Sequence, residues 1–157
     1  MIWIKRFLVL ALIALVVIQF IPVDRNESGY ETLDAFIAET KPSAEVQEIL
    51  KASCYDCHSD QTIYPWYADV APVNFWLASH IKDGKRHLNF SDWSQWNAKR
   101  KDHKLDETIE MIEEGEMPLV SYTLMHGDAD LTADQKELLI NWAKAARLQL
   151  SSAPQPQ

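Results

Sequence analysis

The sequence predicts an all-α domain, on three observations. Apolar residues recur at i, i+3 and i+4 in several windows, each bounded by Ser, Thr, Pro or Gly with helix-terminus chemistry. No window alternates apolar and polar residues convincingly over the length of a strand. The densest motif, "CYDCHSD" at 54–60, closes one of those helical stripes. A chain of 157 residues supports one such domain and little more.

The first element is "MIWIKRFLVLALIALVVIQFIPVD". Lys5 and Arg6 precede seventeen residues from Phe7 to Val23, interrupted only by polar Gln19. At about 1.5 Å per residue that is the short end of what spans a hydrocarbon core of about 30 Å. Trp3 suits an interfacial anchor, and the basic pair places the N-terminus in the cytoplasm. Residues 1–23 therefore read as a signal-anchor: one transmembrane helix, single-pass in the cytoplasmic membrane, with the rest on the outer, periplasmic side. A cleaved signal peptide is the rival, but the run is long for an h-region and "QFIPVDRNE" lacks A-x-A spacing.

Residues 24–42 read as a tether with a helical turn or two, Leu33, Phe36 and Ile37 forming a small apolar face. "KPSAEVQEILKASCYDCHS" reads as a helix entering from Pro42 and Ser43, with Val46, Ile49 and Leu50 buried and the same progression running through Ser53, Cys54 and Cys57. Pro72 opens a second helix through about Lys82, stopped by Gly84, and Ser91 caps a third near "SDWSQW". "NAKRKDHK" reads as an exposed connection. "LDETIEMIEEG" gives an amphipathic helix burying Leu105, Thr108, Ile109 and Ile112, ended by Gly115. After the loop "EMPLVSYTLMHGDAD", Thr132 and Gln135 make a capping box for a helix that buries Leu138, Leu139 and Trp142. The domain so bounded runs from 43 to 148, with 149–157 a disordered tail.

Removing Lys5 and Arg6 from the 15 basic residues leaves 13 against 23 acidic ones, a balance of −10. That argues against nucleic acid or anionic lipid as the main partner, and fits a basic protein face or simple solubility.

Three chemistries compete for Cys54, Cys57 and His58. A thiol redox pair would want a βαβ surround, which is missing. Zinc would need two imidazoles beside the two thiolates, and His58, His80, His87, His103 and His126 form no close pair. Covalent haem explains the spacing: two thiols a helical turn apart meet the two vinyl groups of one porphyrin, and the next residue supplies an axial imidazole. For the other axial position Met117, stiffened by Pro118, is the first candidate, as a soft neutral thioether. His126, Met125 and His80 are its rivals. Met111 reads as core, His87 and His103 as surface.

The order of CxxCH, Met-Pro loop and an ending "LTADQKELLINWAKAA" resembles class I c-type cytochromes. More closely, residues 45–146 resemble the small bacterial haem-binding domain family of membrane-anchored monohaem proteins. The resemblance implies a small cytochrome c-like helical domain around one haem c, with thioethers at Cys54 and Cys57, His58 as proximal ligand and Met117 as distal. Pro65, Trp66, Tyr67, His80 and the run Asn89 to Trp93 share the family pattern without an implied role. Physically, Trp66, Tyr67 and Trp76 can wall a porphyrin, and Arg86, His87 or Asn89 can reach a propionate; equally, they can pack a small core. The Trp-rich segment is longer than in better-known cytochromes. The expectation is a single-electron carrier, not an enzyme, that docks a redox partner with a basic face. The competing expectation is a haem-based sensor or peroxidase-like protein with an open or displaceable distal ligand.

Overall fold

The structure, a computed structural model, describes residues 2–152. Among them are eight α-helices joined by 3-10 turns, and the only strand-like pairing is an isolated antiparallel bridge between Glu27 and Gln61. The helices are α1 (Ile2–Ile18), α2 (Asp34–Thr40), α3 (Ala44–Ser53), α4 (Tyr55–His58), α5 (Val73–His87), α6 (Ala98–Glu113), α7 (Val120–Thr123) and α8 (Ala133–Ser152). The all-α expectation holds.

The expected transmembrane helix does not. Among the described residues no helix is long and apolar enough to cross a membrane. α1 has 17 residues, about 26 Å of helix against about 30 Å of hydrocarbon, and Lys5 and Arg6 lie inside it. The stretch from Gln19 to Val23, counted as span, leaves the helix because Gln19 is used elsewhere. Its side chain donates to the carbonyls of Leu15 (2.9 Å) and Ala71 (3.1 Å) and accepts from the Ala71 amide (2.9 Å). The single-pass placement in the cytoplasmic membrane rested on that span and falls with it.

Residues 24–42, read as a tether, are packed. Leu33 and Phe36 are buried, and the Phe36 ring lies 4.5 Å from Phe90, 5.0 Å from Trp93 and 5.9 Å from Trp142, the two tryptophans edge-on. Glu39 ties this piece down: it accepts from Trp93 Nε1 (3.1 Å) and pairs with the buried ammonium of Lys101 (2.7 Å).

α3 starts as expected, Ser43 Oγ accepting from the Val46 amide (3.2 Å), with Val46, Ile49 and Leu50 buried. It breaks at Cys54, whose φ of −127° is not helical, and restarts as the single turn α4. α5 runs straight through Gly84 instead of stopping there. A Cβ at Gly84 would stand 2.6 Å from the Cys57 carbonyl oxygen and 3.0 Å from its Cβ, so glycine marks a close approach, not a terminus. "SDWSQW" forms a 3-10 turn, Phe90–Gln95, capped by Asn89 rather than Ser91.

The charged run "NAKRKDHK" is the first half of α6, capped by Asn97 Oδ1 on the Arg100 amide (2.9 Å). α6 ends at Gly115, φ +74°, and packs along α8, its most extensive neighbour. Thr132 and Gln135 form the reciprocal capping box at the start of α8, at 2.9 and 3.3 Å. α8 continues through 149–152, expected as tail, because Leu150 is buried; 153–157 lie outside the described residues.

Candidate functional site

α4 carries the motif and α5 holds it. Because the α3 helix breaks at Cys54, the turn Tyr55–His58 swings against α5, where Gly84 admits the Cys57 backbone. Just beyond, His58 Nδ1 lies 2.8 Å from the Leu88 carbonyl. A carbonyl can only accept, so Nδ1 carries the proton and Nε2 keeps its lone pair. Burial lowers the His58 pKa, partly countered by the Leu88 and Gly84 backbone, which favours the neutral imidazole. Lys85 Nζ, one turn of α5 away, pairs with Asp60 (2.7 Å) and donates to Asn26 (2.7 Å), fixing the far side of the motif.

Both cysteines are free thiols and partly buried. Burial pushes Cys54 up to about 12 and Cys57 up to about 11. Neither is a thiolate at neutral pH, which is the opposite of an activated redox pair or a prepared thiolate metal site. Among the described residues no cluster of three or more His, Cys, Asp or Glu could hold a bare metal ion.

Beside Cys57 lies a cavity of about 340 Å³. One wall is a face of α5, with Val73, Trp76, Leu77, His80 and Ile81 at helical spacing. A second is the segment Ile63–Tyr67, and the third comes from Leu119, Ser121, Tyr122, Met125 and His126, on and to either side of α7. Trp66, Tyr67 and Trp76 therefore stand on this wall, with Trp66 80% exposed at the mouth. His80 and His126 are there too. Each sets its Nδ1 on a backbone carbonyl, of Trp76 (2.9 Å) and Tyr122 (3.1 Å), so in the neutral ring the proton sits on Nδ1 and Nε2 is the free nitrogen. The His126 Nε2 lies 3.4 Å from the Tyr67 hydroxyl.

Met117 is half-buried at the entry to the third wall, its amide bonded to the Met111 carbonyl (3.1 Å), but its side chain is not among those lining the cavity. Of the candidate propionate partners, Arg86 is exposed beside Asp83 (3.3 Å) and His87 is exposed. Asn89 is buried and committed to Asp60 (3.2 Å) and the Ser91 amide (3.1 Å). His103 is on the surface beside Glu107 (3.3 Å).

A family model described as haem-binding domain matches residues 13–145. The chain belongs to this haem-binding domain family. No curated protein and no solved structure matches it.

The residues of this haem-binding domain fit such a group. A flat apolar macrocycle wants a cleft walled by aromatic and aliphatic side chains with few polar groups, and the cavity beside Cys57 is one. The donors fit as well: a neutral imidazole with its free nitrogen set by a backbone carbonyl, next to two protonated thiols one turn apart. Sequence reasoning missed Asp56 and Tyr122. Asp56 is buried and accepts from the Ile63 amide and the Tyr122 hydroxyl, both at 2.8 Å. Burial first, then the Asp56 carboxylate, pushes the Tyr122 phenol well up, so Tyr122 is the donor. An acidic residue on an inward-turning cysteine face was the one available signal.

Proposed function

We propose that this haem-binding domain is a monohaem c-type cytochrome that carries single electrons and performs no bond-making chemistry. Haem bound here supplies a one-electron ferric–ferrous couple. Cys54 and Cys57 would hold the porphyrin edge through thioethers, and His58 would offer Nε2 to the iron. Trp66, Tyr67 and Trp76 would keep water from the ring. The observation that supports this reading is the His58 Nδ1 contact to Leu88 (2.8 Å), which leaves Nε2 free on the same turn as two free thiols; of these three residues Cys57 lines the apolar cavity, and Cys54 and His58 stand behind it. Met117, Met125, His126 or His80 would supply a further ligand to the iron, with the Met117 thioether as first choice because a soft neutral ligand would favour ferrous iron and raise the potential. A net charge of −8 fits a redox partner with a basic docking face and a complex that weakens as salt rises.

One observation favours a second reading, a sensor or peroxidase-like protein with an open sixth position. His126 and His80, not Met117, line the cavity, each with Nδ1 turned to a backbone carbonyl. The test is the visible spectrum of the full chain, produced with c-type maturation machinery, oxidised, reduced, and reduced under carbon monoxide. A low-spin spectrum with a sulfur-to-ferric-iron band, unaffected by carbon monoxide and lost in Met117→Ala, supports the carrier. A high-spin or carbon-monoxide-sensitive spectrum supports the open site instead.

A further inference from the structure

Asp56, between the two cysteines, and Tyr122, on α7, join opposite sides of the cavity. Asp56 is only 9% exposed, and Tyr122 is the one side-chain donor reaching its carboxylate among the described residues. The Tyr122 hydroxyl also lies 3.3 Å from the Ala52 carbonyl, but it has one proton, and the shorter bond to Asp56 at 2.8 Å takes it.

The same residue organises its own segment. The Tyr122 ring stacks on His126 with centroids 4.1 Å apart and planes 16° from parallel. Its carbonyl accepts from the His126 amide (3.0 Å) and from His126 Nδ1 (3.1 Å). Among the described residues, the other side-chain tie from this stretch to another segment is the longer contact from His126 Nε2 to the Tyr67 hydroxyl (3.4 Å). α7 is a single turn, too short to hold itself, and Val120, Leu124 and Met125 are exposed. Every candidate sixth ligand except His80 is on the chain from Met117 to His126.

We propose that Tyr122 is the positioning residue of the distal side: through Asp56 it fastens Leu119–His126 to the cysteine turn and thereby governs access to the sixth position of the iron. The latter half rests on the haem reading above. It makes the cysteine turn and the distal segment one unit, so that attachment chemistry on one side fixes ligand access on the other.

Tyr122→Phe tests it, because the ring, the His126 stack and the backbone bonds remain and only the hydroxyl goes. Two readouts are needed, both on the full chain. In the haem-free protein, hydrogen exchange of the amides of 119–126 should quicken about tenfold, while the amides of α6 and α8 keep their rates. In the matured protein, the reduced variant should take up carbon monoxide where the parent excludes it, or take it up at least about tenfold faster where the parent admits it, the scale of one lost hydrogen bond. Unchanged exchange at 119–126 overturns the proposal. So does quickened exchange with carbon monoxide binding equal to that of the parent, since the segment would then be loosened without touching the iron. A parent chain that takes up no haem sinks the haem reading and the iron half with it, while the exchange result still decides the fastening.

Discussion

Replacing Gly84 with alanine puts one methyl group where α5 meets the cysteine turn. The new Cβ would stand 2.6 Å from the Cys57 carbonyl oxygen, about 0.8 Å inside ordinary contact, and 3.0 Å from the Cys57 Cβ. Both are fixed atoms of the turn, so α5 or α4 has to move. Helix propensity alone makes the change stabilising by about 1 kcal/mol, because Gly84 sits inside α5. Overpacking costs about 1–3 kcal/mol and acts the other way. The contact wins: the net effect is a loss of about 1 kcal/mol, a fall of about 2–4 °C in Tm. The same displacement would stretch the bond from His58 Nδ1 to Leu88, now 2.8 Å, past useful hydrogen-bond length. Thermal unfolding of the full chain reads the first effect, and the haem spectrum reads the second. A rise in Tm of a few degrees would refute the reasoning, since propensity would then outweigh a contact too loose to matter.

Three other perturbations follow from the same geometry. Lys101→Met removes the partner of Glu39; because Glu39 is 40% exposed and can be rehydrated, the cost should be only about 1 kcal/mol by urea unfolding, and a loss above about 3 kcal/mol would mean the pair is buried more deeply than described. Asp102, held below its ordinary value chiefly by the Arg147 guanidinium, contributes stability that is present above that value, near 3.8, and is lost as pH falls through the depressed folded value. The Tm difference between parent and Asp102→Asn should therefore shrink as pH is lowered below about 4, and a difference independent of pH would contradict the assignment. Cys54→Ala and Cys57→Ala should each leave a single thioether and lower the yield of chain that stains for haem on a denaturing gel, whereas equal staining in either variant would remove that cysteine from the attachment.

What was legible in the sequence was local. Ser43, Thr132 with Gln135, and Gly115 mark helix ends through contacts within a few residues, and each was read correctly. The stripe Val46, Ile49, Leu50 needed only helical periodicity. In residues 24–42 the helical turns and the apolar face of Leu33, Phe36 and Ile37 are legible, but their packing is not, because the partners that make Phe36 core, Phe90 and Trp142, are far along the chain. The run "NAKRKDHK" looked solvated because nothing local reveals that Lys101 meets Glu39. Gly84 looked like a stop because the same residue type serves both a terminus and a close approach, and only the neighbouring Cys57 separates the two. The apolar run at the N-terminus was counted by hydropathy, which cannot see that Gln19 is bonded to Ala71.

The candidate site divides the same way. Cys54, Cys57 and His58 are three and four residues apart, so their grouping around one helical turn was legible from spacing alone. The α5 wall was also available, since Val73, Trp76, Leu77 and His80 fall on one helical face. The bond between Tyr122 and Asp56 spans 66 residues and left no periodic trace.

The most direct test of the central claim is the intact mass of the matured full chain after acid denaturation. A gain of one haem that survives denaturation, and disappears when Cys54 and Cys57 are both replaced by alanine, is the result the account predicts. A chain that releases its haem on denaturation, or gains none, would contradict it.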